Sequence, residues 1–148
     1  YGYGIGLSKN NDHLILGHLG GYYGVRGELM WYKDSGYTVA ILANSDQTDY
    51  IDISNFIKTE LTGTAAEKQT YKNTLELLHS IKQADIEFRQ ELVDKIKTNT
   101  YDEALIQIKG YFYYNNKNYS EAEKYFSLNS WLFPESESAA RDLQKVQK

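Results

Sequence analysis

The chain has 148 residues, of which 41% are hydrophobic and 24% are charged. This composition supports one packed domain, or one and a fraction, and excludes a mainly disordered chain. The net charge of −4 argues against nucleic acid as a partner, because binding phosphates requires a basic face. The absence of cysteine excludes disulfides, thiolate metal ligands and a cysteine nucleophile. No apolar run approaches the roughly 20 residues that cross a bilayer, so we expect no membrane span.

Glycine is distributed unevenly along the chain. Nine of the eleven glycines lie in residues 1–36, and the chain beyond Gly63 is rich in Lys, Glu, Gln, Leu and Ala, which favour helix. We therefore predict an α+β chain, with an antiparallel sheet portion and a covering helix over residues 1–63 and an all-helical tail over residues 64–148. Because the first residue is Tyr rather than Met, we also expect a piece of a longer polypeptide.

Three or four strands are predicted before this boundary. Their segments are Tyr1–Ser8, Leu14–His18, Gly27–Tyr32 and Tyr37–Ala43. Lys33–Gly36 has the residues of a hairpin turn, since Gly accepts a positive φ. The segment Tyr37–Ala43 is almost continuously apolar, which predicts a central strand covered on both faces. Tyr50–Leu61 has apolar residues at helical spacing and is expected to pack across the sheet.

The tail is predicted to contain several helices, the first beginning near Ala65. One apolar stripe is expected along this part of the tail, formed by Tyr71, Leu75, Leu78, Ile81, Phe88, Leu92 and Ile96. Asp85 interrupts the stripe, at a bend or at the start of a second helix. A helix pair, Asp102–Tyr114 and Tyr119–Trp131, follows. Pro134 ends this pair, and Ser136 is expected to cap a last short helix.

The helix pair resembles one tetratricopeptide repeat, over about residues 103–134. The matching residues are Gly110, Tyr113, Tyr119, Ala122, Phe126 and Pro134, and Lys109 departs from the usual Leu. Close approach of the helices at Gly110 and Ala122 is expected, with Phe126 and Tyr113 filling the gap and Tyr119 on the inner face. Two interpretations stay open: a hairpin used for packing or self-association, or part of a groove for a protein partner.

A glycine-rich stretch, Gly17–Leu29, contains the candidate chemistry. Gly20, Gly21 and Gly24 leave one edge of the predicted sheet without side chains, so backbone N–H groups there are available to a ligand. One such N–H aimed at a carbonyl oxygen is what an oxyanion hole requires.

Residues 1–61 resemble the C-terminal end of the serine β-lactamase and penicillin-binding-protein-like family, in its class C-like and esterase-like branch. The matching segments are Tyr1–Gly4, His18–Gly21, Gly24, Glu28–Tyr32, Tyr37–Asn44 and Tyr50–Leu61. The resemblance implies acyl transfer through a serine ester, with no cofactor, in a bacterial parent that is periplasmic, secreted or membrane-anchored. It also implies catalytic positions at His18, Gly20 and Gly21: His18 assists electrostatically, and the N–H of Gly21 supplies half of an oxyanion hole.

Two of the family's three elements are missing. No Ser in the chain has a Lys three residues later, and only His18-Leu19-Gly20 matches the third element. We therefore expect the chain alone to be inactive and its parent to be a hydrolase acting on a small molecule or peptide. His in place of the family's Lys leaves an ester, a peptide or a β-lactam open as the substrate.

Tyr22, Tyr23 and Arg26 are weaker candidates for substrate binding. The tyrosines can line a pocket, and Arg26 can pair with a substrate carboxylate or form a surface ion pair. Three scattered histidines without clustered carboxylates do not form a metal site, so no metal is expected. The alternative to a hydrolase is a non-catalytic module that binds a protein or forms a homo-oligomer through the helical tail.

Overall fold

The computed structural model describes residues 2–44, 49–83 and 99–147. The chain forms two compact units, Tyr1–Lys68 and Gln69–Lys148. We call them the sheet unit and the helical unit. The sheet unit contains a four-stranded antiparallel sheet and its following helix, whereas the described part of the other unit is helical. The predicted α+β class is confirmed.

The sheet is a meander in which each strand pairs with the next one along the chain. Its order is β1-β2-β3-β4, and every pair is antiparallel. The strands are β1 Gly6–Asn10, β2 His13–Tyr22, β3 Val25–Tyr32 and β4 Tyr37–Ala43.

The hairpin between β3 and β4 closes as predicted over Lys33–Gly36. Gly36 has φ 75°, and its N–H donates to the carbonyl of Tyr32 at 2.9 Å. The hydroxyl of Ser35 donates to the same carbonyl, and a carboxylate oxygen of Asp34 accepts from the N–H of Leu14 at 2.7 Å. The turn therefore fixes both its own hairpin and the start of β2.

The first strand begins later than the predicted Tyr1–Ser8. Tyr3 and Gly4 both have a positive φ, and Gly2 and Ile5 exchange backbone hydrogen bonds across them. Two central residues with positive φ are typical of a tight hairpin turn, so the chain reverses before β1 instead of extending it. The repeated Tyr-Gly pattern forms a turn here rather than a strand.

The prediction that Tyr37–Ala43 is central and covered on both faces is wrong. Within the described residues β4 pairs only with β3 and forms one edge of the sheet. Tyr37 is exposed, and Leu42 keeps 88% of its accessible surface. An apolar strand at the edge of a sheet has the same sequence pattern as a central one, because only pairing distinguishes them.

The two faces of the sheet have different environments. Helix α1, Asp49–Thr62, lies against the face that carries Ile15, Glu28 and Tyr32, all of which are buried. The helix bounds agree with the predicted Tyr50–Leu61 within one residue. We call the opposite face the open face. Its apolar side chains are not covered by α1. Leu16 is partly exposed, and the others keep about half or more of their accessible surface: Leu7, Leu29, Trp31 and Leu42.

A polar contact joins α1 to the sheet inside this thin core. The hydroxyl of Ser54 donates to a carboxylate oxygen of Glu28 at 2.6 Å. Burial raises the pKa of the Tyr32 phenol, and the charge of Glu28 raises it further. A buried carboxylate requires such a partner. Burying a polar group without a hydrogen bond costs on the order of 2–7 kcal/mol, and burying a charge costs more.

The end of α1 is tied to the β1–β2 turn. The side-chain amide of Asn10 donates to the hydroxyl of Thr62 at 2.9 Å, and that of Asn11 donates to a carboxylate oxygen of Glu67 at 2.5 Å. Thr64 and Glu67 form a capping box that starts the next helix. The N–H of Thr64, with the side chains of Asn11 and Thr64, lowers the pKa of Glu67.

Within the described residues four helices follow α1, and each starts at a side-chain cap. Their bounds are α2 Ala65–Gln83, α3 Glu103–Asn115, α4 Tyr119–Leu132 and α5 Glu137–Val146. Asp102, Asn118 and Ser136 accept backbone N–H groups at the starts of α3, α4 and α5. The predicted helix pair and the Ser136 cap are confirmed.

The helical unit has its own apolar core. It consists of Tyr71, Leu77, Leu78, Ile81, Leu105, Ile106, Tyr125 and Leu128. The predicted stripe on α2 is partly wrong, because Leu75 is exposed and Leu77 is buried instead. Thr74, the residue before Leu75, is fully buried. Its hydroxyl accepts the N–H of Asp102 at 2.8 Å and donates to the carbonyl of Thr70. The remaining predicted positions, Asp85, Phe88, Leu92 and Ile96, lie outside the described residues.

Helices α3 and α4 pack closely at Gly110. A Cβ placed on Gly110 would lie 2.4 Å from the ring of Phe126, so only glycine leaves room for that ring. The rings of Tyr113 and Tyr125 stack at 5.3 Å beside this contact. The prediction that Tyr119 faces inward is wrong, since 51% of its surface is exposed; its ring meets that of Tyr114 edge to face.

A buried carboxylate joins α5 to α3. Asp142 accepts hydrogen bonds from Gln107 at 2.6 Å, from the phenol of Tyr111 at 2.5 Å and from Lys145 at 3.0 Å. Burial raises the pKa of Asp142, but these three bonds and the Lys145 charge outweigh burial and hold the pKa below its ordinary value of 3.8.

We expect the helical unit to lose stability in acid through this group. The unfolded chain binds the proton of Asp142 more tightly than the folded chain, so the contribution is complete above about pH 5 and disappears as the pH falls through the folded-state pKa. Asp142→Asn should flatten the pH dependence and cost about 1–3 kcal/mol at pH 7. Urea unfolding followed by circular dichroism at several pH values measures both. Glu123→Gln, at an exposed position on α4, is the control, and an Asp142→Asn curve parallel to wild type would contradict the expectation.

The buried side chain of Asn129 should lower the stability of the helical unit. It is fully buried on α4, and its side-chain oxygen and nitrogen have no partner among the described residues. Replacing an unsatisfied buried amide by an apolar group of similar shape removes a desolvation cost, so Asn129→Leu should raise the free energy of unfolding by about 1 kcal/mol. Asn115→Leu, at an exposed position, should change it by less than about 0.5 kcal/mol. Thermal melts of both variants give the comparison, and a lower melting temperature for Asn129→Leu would refute this expectation.

Candidate functional site

The second strand is twice as long as the first. The β1–β2 pairing ends at Gly6 opposite Gly17, whereas β2 continues to Tyr22 and stays paired with β3 over its whole remaining length. In the described part of the chain, no strand lies beside residues 18–22 on the side away from β3. We call this segment, His18–Tyr22, the open edge.

The hydrogen-bonding pattern turns the backbone groups of two residues outward along the open edge. The N–H of Lys33 donates to the carbonyl of Leu14 at 3.1 Å. Antiparallel partners alternate between bonded and non-bonded pairs, so the even-numbered residues of β2 bond to β3. Leu19 and Gly21 therefore direct their N–H and C=O groups away from β3, past the end of β1.

The three residues predicted to be catalytic lie together in this segment. His18 is exposed and lies on the open face, opposite Leu29 of β3. Gly20 shares that face, and a Cβ placed on it would meet nothing within 4 Å. Gly21 lies on the other face, one residue further along. A shallow groove of about 310 Å³ runs beside His18 and Leu19 toward β1.

Arg26 has a structural contact at the tip of the hairpin. Its guanidinium donates to the carbonyls of Tyr22 at 3.0 Å and Val25 at 3.1 Å. The side chain crosses Gly21, where a Cβ would lie 2.7 Å from a guanidinium nitrogen. Arg26 therefore braces the turn, and its pairing with a substrate carboxylate stays a prediction.

Tyr22 and Tyr23 form an exposed aromatic pair at the same tip. Their rings meet edge to face at 5.3 Å, and both retain most of their accessible surface. Gly24, with φ 77°, completes the turn. Two flat apolar surfaces therefore adjoin the end of the open edge, where a bound chain would leave the strand.

Sequence reasoning did not single out the buried polar contact behind the sheet. A cavity of about 330 Å³ lies between α1 and the sheet, and its lining includes Glu28, Tyr32, Ser54 and Lys58. A charged residue in the middle of the apolar segment Gly27–Tyr32 was the available signal. A charged residue in such a segment does not show whether its side chain is buried, because alternate residues of a strand face opposite sides of the sheet.

The described residues contain no further chemical centre of the predicted kinds. Among them, no three His, Asp or Glu side chains come together in a way that would hold a metal ion. His13 lies 3.8 Å from Asp34 at the start of β2. In the same parts of the chain, no helix is both long enough and apolar enough to cross a membrane.

Comparison with protein-family models, with curated proteins and with solved structures gave no match to this chain.

Two glycines of β2 should respond oppositely to the same substitution. At Gly17 a Cβ would lie 2.2 Å from the carbonyl oxygen of Leu29, so Gly17→Ala forces the backbone apart and should cost more than about 1 kcal/mol of stability. Gly20→Ala has open space and should change stability by less than about 0.5 kcal/mol. Urea denaturation of the two variants makes the comparison. Equal losses would mean that the open face is covered at Gly20.

Proposed function

We propose that residues 1–63 form the substrate-facing edge of a serine β-lactamase-like hydrolase domain. The observation that supports it best is the open edge, where an exposed His18 and two outward backbone positions, Leu19 and Gly21, lie on a stretch of β2 that pairs with β3 and has no described strand on its other side. The order of motifs in the sequence, from the Tyr-Gly repeat through His18–Gly21 to the helix after β4, agrees with that family.

The proposed chemistry divides between this edge and residues outside it. The N–H of Gly21 donates to the oxygen of a substrate carbonyl and stabilises the negative charge that develops on it in the tetrahedral transition state. His18 stabilises the same charge electrostatically from the open face. The serine nucleophile and its base belong to elements that this sequence lacks, and they approach the open face in the complete enzyme.

The open edge favours a substrate with an extended backbone. A peptide or peptide-like acyl group can pair with the N–H and C=O groups of Leu19 and Gly21 as an added strand. Tyr22 and Tyr23 then contact the part of the substrate that passes the hairpin tip. An ester, a peptide or a β-lactam satisfies this geometry, in a bacterial enzyme of the periplasm or cell surface.

We expect the 148-residue chain to be inactive by itself. Because it has no Ser with a Lys three residues later, it should not be labelled by a fluorescent penicillin or a fluorophosphonate and should not hydrolyse p-nitrophenyl esters. The polypeptide translated from the complete reading frame should do at least one of these. In that polypeptide His18→Ala should lower kcat/KM by ~10²-fold, the usual range for such a group.

His79→Ala is the matched control, because His79 is exposed on α2 and outside the open edge. It should leave kcat/KM unchanged. Turnover by the 148-residue chain, or equal activity of His18→Ala and wild type in the complete polypeptide, would reject the proposed site.

The second candidate function is protein binding by the helical unit, with α3 and α4 as one tetratricopeptide-like repeat. It is favoured by the close contact of Gly110 with Phe126 and by the exposed aromatic residues Tyr119 and Trp131 on α4. The two functions are separable, because a partner held by the helical unit should be retained by His18→Ala and lost in Trp131→Ala. Pull-down of one identified partner with both variants distinguishes them.

A further inference from the structure

The hairpin that follows the open edge closes with a turn that does not match the twist of its strands. Tyr22 of β2 pairs with Val25 of β3, so only Tyr23 and Gly24 connect them. Gly24 has φ 77°, and Tyr23 is not one of the residues with a positive φ. The favoured two-residue turns have a positive φ at the first connecting residue, whereas the other types splay the strands. This hairpin therefore needs a further contact to hold its two ends together.

Glycine also weakens the register of this hairpin. The three pairs nearest the turn are Gly20 with Gly27, Gly21 with Arg26, and Tyr22 with Val25. Half of these residues are glycines, which have no side chain to favour one register over another. Among the described residues, no strand lies on the other side of β2 at this point to fix it. A slip of one residue would reverse which residues face outward, so the direction of the Gly21 N–H depends on the register.

The guanidinium of Arg26 joins the two ends of the turn. One of its nitrogens donates to the carbonyls of both Tyr22 and Val25, the pair that closes the hairpin, at 3.0 and 3.1 Å. A single side chain thus contacts both strands at the last pair. This contact holds the register at the end of the hairpin, where the glycines cannot.

The same side chain lies across Gly21, its own partner in the register. A Cβ placed on Gly21 would lie 2.7 Å from the guanidinium nitrogen and 2.9 Å from the Cδ of Arg26, so glycine leaves the room that this side chain occupies. Arg26 contacts Gly21 on the face of the sheet opposite to His18. The N–H of Gly21 points outward along the open edge and stays accessible.

We propose that Arg26 is a positioning residue for the N–H of Gly21, a role that rests on the proposed hydrolase function. By closing the hairpin and lying across Gly21, Arg26 holds this N–H in the direction in which it can bind a substrate carbonyl oxygen. An oxyanion hole stabilises the transition state only when its donors are already in place, and glycine is the residue with the most backbone freedom. Arg26 acts through the backbone, without touching the substrate.

The brace itself can be tested in the 148-residue chain, without any reaction. Arg26→Met keeps most of the apolar stem and removes the donors, so it should loosen Gly21. NMR relaxation of the backbone amides should give Gly21 an order parameter of about 0.85 in wild type and below about 0.6 in Arg26→Met. Arg141→Met, at an exposed position on α5, is the matched control and should leave the order parameter of Gly21 unchanged.

The catalytic consequence is tested in the polypeptide translated from the complete reading frame. A misplaced oxyanion donor weakens binding of the transition state and not of the substrate. Arg26→Met should therefore lower kcat at least about tenfold and leave KM within about twofold of wild type. Arg26→Lys keeps a donor on a stem of similar length and should recover part of kcat, and Arg141→Met should match wild type. If Arg26 instead paired with a substrate carboxylate, KM would rise, and the positioning role would be overturned.

Circular dichroism establishes that each variant is folded, and Arg26→Lys, with a smaller change in the same direction, covers the case in which Arg26→Met does not fold. Equal order at Gly21 in wild type and Arg26→Met overturns the proposal. A lower kcat/KM in His18→Ala with an unchanged kcat in Arg26→Met rejects this role of Arg26 and leaves the proposed function standing. An inactive complete polypeptide rejects the proposed function and the catalytic role of Arg26 together, even where the order of Gly21 shows the brace.

Discussion

The geometry of the sheet unit depends on the unequal lengths of its first two strands. The tight turn at Tyr3 and Gly4 stops β1 from continuing beside β2, so among the described residues the second half of β2 pairs with β3 alone. Because antiparallel bonding alternates, that single termination decides which backbone groups of the glycine-rich segment face outward. Glycine at positions 20 and 21 then leaves these groups accessible. The glycines at 20 and 21 and the turn at Tyr3 and Gly4 therefore act together. The turn leaves the backbone of β2 without a neighbour, and the glycines leave it without covering side chains.

Each of the two units contains one buried carboxylate that joins two of its elements. In the sheet unit Glu28 is held between the sheet and α1 by Ser54, close to Tyr32. In the helical unit Asp142 receives three donors and joins α5 to α3. Breaking either contact is costly, because it leaves a buried polar group without its partner. The apolar residues supply the driving force for packing.

Much of this architecture could be predicted from local chemistry. Gly36 indicated a turn, Asp102 and Ser136 indicated helix starts, and the helical pattern over residues 50–61 gave α1 nearly to the residue. What failed depends on neighbours distant in sequence. An apolar strand such as Tyr37–Ala43 carries no record of how many strands flank it. On α2, the buried face runs through Thr74, Leu77 and Leu78, so Leu77 rather than Leu75 is buried. For the open edge, the glycines predicted accessible backbone N–H groups, but only the sheet register shows that Leu19 and Gly21 present them.

The sheet unit has a small core, and this bears on the proposed function. Among the described residues, the apolar side chains that it buries are Ile15 and Tyr32, whereas the helical unit buries a cluster of eight. Burial of a large apolar side chain contributes about 1.5–3 kcal/mol, so a layer that covered the apolar residues of the open face would add several such contributions. The nucleophile-bearing elements of the proposed hydrolase would form that layer, because His18 projects from the same face.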